Sequence, residues 1–235
     1  MRFSLKKFFK RMAFTLLALI LIVTIGTVVV LNLPSFGKLP SGERLARIEQ
    51  SPNYREGHFQ NLSETPDLTP TGSQFSLFYN YFFPNTKDLY PQKPLPTVQT
   101  ELGSLPDNTW VWFGHSSYLM NIEGKKVLID PVFHSASSFS FIVKPFEYTY
   151  TYTPEDMPQE ISLLVLTHDH WDHLDYKTMK AIKDRVQQVV CPLGVGSHLE
   201  YWGFSPERIT ELDWQNIARV GEMTLTCLPA RHFSG

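Results

Sequence analysis

The sequence predicts an α/β layered domain that follows a membrane-spanning helix. Three observations carry this expectation. A run of 20 residues without charge, 12–31, follows a basic N-terminal segment. From residue 108 onward, short apolar runs of strand character alternate with segments of helical spacing. One of those runs, ISLLVL, opens directly into THDHWDH (167–173), which packs three histidines and two aspartates into seven residues.

The N-terminal 34 residues come first. MRFSLKKFFKR is basic, and MAFTLLALILIVTIGTVVVL (12–31) carries no charge. At about 1.5 Å rise per residue, a helix of that length spans roughly 30 Å, one hydrocarbon core. A cleavable signal peptide is the competing reading, but its apolar region is normally about 7–15 residues and ends at a small-x-small site. VVVLNLPSFG offers no such site, which favours an uncleaved signal anchor over residues 1–34. Basic residues stay cytoplasmic, so the body is expected on the extracytoplasmic side. Membrane lipid is thus an expected partner through residues 12–31.

Charge excludes another class of partner. Five of the 21 basic side chains lie in residues 1–34, leaving 16 against 23 acidic ones in the remainder. An acidic body argues against nucleic acid, which needs a basic face. Apolar residues make up 43% of the chain, enough for a core rather than a disordered coil. Cys191 and Cys227 sit in apolar, strand-like runs and read as small buried hydrophobes. A disulfide between them would need an oxidising compartment.

Residues 35–107 read as an extended arm, rich in Pro, Ser, Asn and Gly. Within it, FSLFYNYFFP (75–84) is strongly aromatic. Packing of these rings onto the following domain is the favoured expectation; a patch at the membrane interface is the alternative. The domain proper is expected over 108–235. TWVWFG, SYLMNI and KKVLID read as strands, with EGKK as a turn. A long irregular insertion follows, SASSFSFIVKPFEYTYTYTPEDMP. ISLLVLT is a fully apolar strand, and DYKTMKAIKDRV has helical spacing with Asp175 as N-cap. QQVVCP is a strand, SHLEYWGF a short helix, and ITELDW and EMTLTCLPA are further strands.

His168, His170, Asp172 and His173 therefore follow a buried strand within six residues. In open α/β sheets, sites form at the carboxyl ends of strands. Imidazole and carboxylate suit zinc or a similar divalent ion. Residues 168 and 170 can project to one side of an extended backbone, while Asp172 and His173 can serve a second metal as the chain turns into a helix. So much imidazole and carboxylate in one place is costly without a cation.

This element resembles the H-x-H-x-D-H signature of the metallo-β-lactamase superfamily. WFGHSSYLMNIEGKKVLIDPVF, LTHDHWDHLDY, CPLGVGSHL, ITELDW and LPARHFSG, in this order, resemble the branch that contains N-acylphosphatidylethanolamine-hydrolysing phospholipase D. Bacterial lactonases of the ascorbate-6-phosphate type share parts of the pattern. The resemblance implies an αββα sandwich and assigns His168, His170 and His232 to one metal and Asp172 and His173 to another. It implies zinc, two ions in an intact relative, with manganese as an alternative. His115 is expected near the site, orienting its neighbours, and together with Asp172 forms the expected catalytic pair. Asp130 is either an acceptor behind a ligand histidine or a turn cap before Pro131. His134 and His198 are expected to be solvent-exposed, His58 has no role, and Asp169 and Trp171 fill variable positions of the motif. Asp213 and Trp214 are expected to pack.

The resemblance also implies a second half with a bridging aspartate and a final histidine. Neither follows His232 in this sequence, so the chain reads as a C-terminally truncated member, with five of seven ligands and at most one tightly held zinc. The expected function is a membrane-anchored hydrolase using a metal-bound hydroxide on phospholipids such as N-acylphosphatidylethanolamine. A lactonase of the ascorbate-6-phosphate type, acting on a soluble sugar derivative, and an inactive truncated metal-binding fragment are the alternatives.

Overall fold

A computed structural model describes residues 5–63, 73–84, 90–138, 143 and 145–232. TPDLTPTG within the arm, part of the 135–158 insertion and the last three residues of LPARHFSG lie outside the described residues. The domain is built on a six-stranded mixed sheet. Its strands are β3 (Thr109–Gly114), β4 (Ser117–Ile122), β5 (Lys125–Ile129), β6 (Ile161–Val165), β7 (Val186–Pro192) and β8 (Ile209–Leu212), in that order across the sheet. Strands β3, β4 and β5 form an antiparallel meander, and β5 to β8 run parallel. The meander turns at Glu123 and Gly124, both with positive φ, as a two-residue hairpin requires.

Parallel strands need crossovers, and here helices supply two of them. α4 (Tyr176–Ile182) links β6 to β7, and α5 (Gly196–Tyr201) links β7 to β8. Asp175 caps α4, its carboxylate accepting from the Lys177 N–H, as the sequence predicts. Both helices cover one face of the sheet. Leu119, Leu128, Ile161, Leu164, Met179, Ile182, Val189 and Leu199 meet in that core, with Leu102 and Leu105 from the segment expected to be an arm. The opposite face carries Val127, Leu163, Val190 and Leu212, packed against Ala218 of a hairpin formed by β9 (Ile217–Val220) and β10 (Met223–Thr226). IARV of β9 alternates too briefly to register as a strand in sequence. Cys191 is buried, Cys227 half-buried, and both are free thiols.

The N-terminal run forms α1 (Leu5–Leu31), a helix long and apolar enough to cross a membrane and with no buried residue. The chain beyond it contains a short helix, α2 (Glu43–Glu49), and a minimal hairpin, β1 (Tyr54–Arg55) with β2 (His58–Phe59). α2 is tied to the domain by Glu211, whose side chain is 1% exposed. Its carboxylate meets Arg44 at 2.5 Å and Arg47 at 2.6 Å and accepts from the Gly194 and Gly196 N–H groups. Ile48 is buried, and Asn53 donates to Asp213. Residues 95–100 run along the 147–152 segment, with the Thr100 N–H donating to the Tyr152 hydroxyl.

The aromatic stretch differs from expectation. It forms α3 (Gln74–Phe82), capped by Ser73, but its rings do not pack onto the core. Phe75, Phe78, Tyr79 and Phe82 are all more than half exposed and lie one helical turn apart, so they stack on each other instead. The pattern that suggests a buried face is satisfied within the helix itself.

Removing the Glu211 carboxylate leaves two arginines and two backbone N–H groups without it. Breaking a buried ion pair from one side costs about 3–5 kcal/mol. Glu211→Ala should therefore lower the unfolding free energy read from urea titration by that order and expose residues 38–60 to limited proteolysis ahead of the sheet.

Candidate metal centre

The register of β5 and β6 sets the site. These strands are parallel and pair Ile129 with Val165, so their carboxyl ends emerge side by side. The next residue of one is Asp130; the loop after the other begins at Leu166 and Thr167. Leu166 N–H continues the ladder to Val190 O, and the chain then turns, with His173 and Leu174 N–H groups both donating to His170 O.

Asp130 is 1% exposed and holds this loop. Its Oδ1 accepts the Thr167 N–H (2.8 Å), and its Oδ2 accepts the Thr167 hydroxyl (2.6 Å) and His173 Nδ1–H (2.8 Å). A carboxylate only accepts, so His173 carries its proton on Nδ1 and Nε2 keeps a lone pair. The Thr167 hydroxyl proton points to Asp130, so its oxygen accepts from His168 Nδ1–H at 2.9 Å. His168 Nε2 is then also unprotonated. One buried carboxylate thus sets the tautomer of two histidines, one directly and one through a threonine.

Two groups of ligand atoms result. His168, His170 and His232 form the first, and His115, Asp172 and His173 the second; within each, the donor atoms lie within 4.8 Å of one another. The first is a triangle of imidazoles with ring centroids 4.6–4.7 Å apart. His232 Nε2 lies 3.1 Å from His170 Nδ1, close to the about 3.3 Å edge of a tetrahedron with zinc–nitrogen bonds of 2.0–2.1 Å. In the second group, His115 Nε2 meets Asp172 Oδ2 at 2.9 Å, and His173 Nε2 is 3.9 Å from the same oxygen. The groups adjoin, since His168 and His173 rings are 4.0 Å apart.

The donor set fits a divalent cation. His168 Nε2 is buried and has no hydrogen-bond partner, a costly state for a lone pair that a cation relieves. Burial, followed by the neighbouring His173, His170 and His232, pushes the His168 pKa down to about 4. Burial, then His232, pushes His170 down as well. Both are thus neutral at pH 7 and ready to coordinate.

His115 enters from the β3–β4 turn, in the left-handed region at φ +47°, with its carbonyl accepting the Trp112 indole N–H. Its place beside two ligand atoms is closer than the neighbouring role expected from sequence. Asp130 serves as the acceptor behind a ligand histidine and does not cap its own turn. His134 is exposed, its N–H donating to Asp175 Oδ2, and His58 is exposed in β2. His198 corrects the expectation of exposure. Its side chain is 12% exposed, Nδ1 accepts the Lys38 N–H (3.1 Å), and Nε2 lies 3.4 Å from Asp169 Oδ2. Nothing in a lone histidine of this segment signals this, because its partners are distant in sequence. Asp213 accepts the Trp214 N–H and the Asn53 amide, a structural role. Thr167 carries no sequence signal beyond preceding the motif.

Comparison with known proteins agrees with this architecture. Residues 125–235 match the beta-lactamase superfamily domain. An uncharacterised protein of Mycobacterium tuberculosis is 37% identical over 190 residues, covering 80% of this chain and 51% of that protein. The N-acyl-phosphatidylethanolamine-hydrolyzing phospholipase D 1 of Caenorhabditis elegans is 33% identical over 131 residues, 52% of this chain and 36% of that one. Among solved structures, CmlA, a diiron beta-hydroxylase from Streptomyces venezuelae, aligns over 53% of this chain and 24% of its own, with 27% identity and a TM-score of 0.42. The chain spans about half the length of the Mycobacterium relative it matches.

Two outcomes follow from the Asp130 network. Asp130→Asn offers an amide in place of an acceptor-only carboxylate and frees both tautomers. Zinc affinity, read by competition with a chromophoric chelator, should fall about 10–100-fold, as for other groups behind metal ligands. The His168 shift sets a pH dependence. Its folded pKa of about 4 lies below the ordinary histidine value of 6.5, so the unfolded chain binds the extra proton between those values. With metal chelated, the urea midpoint should fall as pH drops from about 6.5 to about 4, and His168→Gln should flatten that slope.

Proposed function

We propose that this chain is a zinc-dependent hydrolase, fixed in a membrane by α1, that cleaves a phosphodiester of N-acylphosphatidylethanolamine-like phospholipids. The observation that carries the reading is the pair of adjoining ligand groups at the end of β6, with His168 Nε2 buried and unsatisfied. The name of the Caenorhabditis elegans relative supports the substrate class. The exposed aromatic stripe of α3 supports work at a lipid surface. Lys6, Lys7, Lys10 and Arg11 precede the apolar run, which favours a cytoplasmic N-terminus and an extracytoplasmic body.

In this reading His168, His170 and His232 hold one ion, and Asp172 and His173 lie at the second position. Bound metal supplies Lewis acidity and a water whose pKa is near neutral. The residues do the rest. Asp130 and Thr167 keep His168 and His173 in the tautomers that offer Nε2. His115 holds Asp172 through its Nε2–H, which orients the carboxylate toward the reacting water. Its side chain is 59% exposed, so it stands at the mouth of the site, placed to pass a proton to the departing alkoxide. Attack of water on phosphorus and loss of the N-acylethanolamine oxygen leave phosphatidic acid.

The full chain in phospholipid vesicles, assayed for N-acylethanolamine release with elemental analysis of bound metal, tests the proposal. Zinc-dependent release that Asp172→Asn abolishes is the expected result. Faster turnover of soluble lactones, bound iron in place of zinc, or metal binding with no hydrolysis would overturn it.

A further inference from the structure

The segment that follows α1 does not run free. Backbone hydrogen bonds close the end of the helix, Asn32 N–H to Val28 and Val29 and Leu33 to Val30. Leu33 itself is extended (φ −64°, ψ 141°), and a 3-10 turn, Pro34–Phe36, follows, with Phe36 N–H to Leu33 and Gly37 to Pro34. This short strap then closes on the domain. The Trp202 indole N–H donates to Pro34 O at 2.8 Å, and Lys38 N–H donates to His198 Nδ1 at 3.1 Å. Gly37 sits at φ +69°, and a Cβ there would collide with the His198 ring. The Phe36 ring meets Trp171 edge-on, 5.1 Å between centroids.

What the strap touches is the metal loop. Trp171 lies between His170 and Asp172. Asp169, between His168 and His170, faces His198 Nε2 at 3.4 Å, and His198 in turn holds Lys38. The two positions of the motif that offer no ligand atom to either group are the two that connect it to the anchor. Their chemistry has no part in the proposed hydrolysis, so this contact is a separate feature of the chain.

Distance gives the contact its meaning. Between Leu31 and Phe36 the chain makes five steps, one of them extended at Leu33 and the last ones a 3-10 turn, which at about 2–3.3 Å per residue span roughly 10–15 Å. One ring-to-ring contact of 5.1 Å then reaches Trp171. The polar layer on each side of a bilayer's hydrocarbon core is about 5–7 Å thick. A helix that leaves the hydrocarbon near Leu31 therefore leaves the metal loop no more than about 15 Å above the outer edge of the polar layer. We infer that residues 34–38 are a short strap that ties the metal loop to the end of the anchor and holds it beside the headgroups, so that the surface the site addresses is the bilayer that anchors it. The substrate class this fits is an amphiphile resident in that bilayer, its scissile ester or phosphodiester among the headgroups, presented without leaving the membrane. The inference rests on the proposed role of α1 as a membrane anchor.

The test uses the full chain in phosphatidylcholine vesicles. Cys227→Ser removes the half-buried thiol, and Tyr201→Cys, at an exposed site on α5 beside Trp202, carries a fluorophore. Lipids with a nitroxide headgroup quench it only at short range. A flexible Gly/Ser insert of about 20 residues between Asn32 and Leu33 has a root-mean-square span of roughly 25 Å. It leaves every strap contact to the domain in place and so spares the fold. Strong quenching in the parent and a several-fold loss in the insert variant, with zinc affinity equal in both, is the expected result. Phe36→Ala with His198→Ala should give the same loss without an insert. Equal quenching in parent and insert variant, while both resist carbonate extraction, would overturn the strap and leave the anchor standing. Release of the parent by carbonate would overturn the anchor, and the strap with it.

Discussion

A single carboxylate at the end of β5 governs the arrangement of the whole site. Asp130 is almost entirely out of water, where an unpaired charge is costly. It is stabilised by three donors, and all three belong to the loop that follows β6. The protein thus satisfies a buried charge only when that loop is folded in one way. The same bonds leave two imidazole lone pairs pointing away from it. Burial energetics and ligand orientation are in this sense one problem with one solution.

The sheet delivers these groups by register and not by proximity in sequence. β5, β6, β7 and β8 run parallel, so Asp130, the metal loop and the loop leading into α5 all emerge at one edge. His115 reaches the same edge from the turn of the antiparallel meander. Asp130 and His115 both sit in the left-handed backbone region, at φ +39° and +47°. Residues held there cost about 1–3 kcal/mol each, and surrounding contacts must over-determine them. Here those contacts are the three donors on Asp130, and for His115 the Trp112 indole N–H and the Asp172 carboxylate.

Much of this was legible in the sequence because its causes are local. ISLLV and VQQVVCP are apolar runs of strand length between turn residues, and they form β6 and β7. Asp175 before YKTMKAI is a capping pattern, and it caps. THDHWDH concentrates donors whose role any fold must address. The misread features depend on partners far along the chain. His198 looks like a surface histidine until Lys38 and Asp169 close on it, the former 160 residues away. Leu102 and Leu105 look like part of an arm until the core takes them up. The rings of α3 have the spacing of a buried face, yet they stay exposed and stack on one another.

His232 lies 62 residues beyond His170, on the far side of two strands, two helices and a hairpin. Closing so long a loop carries an entropic cost that grows with its logarithm. A chain emerging N-terminus first would expose His168 and His170 as a weak, two-armed chelate well before the third imidazole arrives. Capture of the ion would then act as a non-covalent staple, drawing the last hairpin onto the sheet. Loading and the docking of that hairpin on the sheet would be a single event.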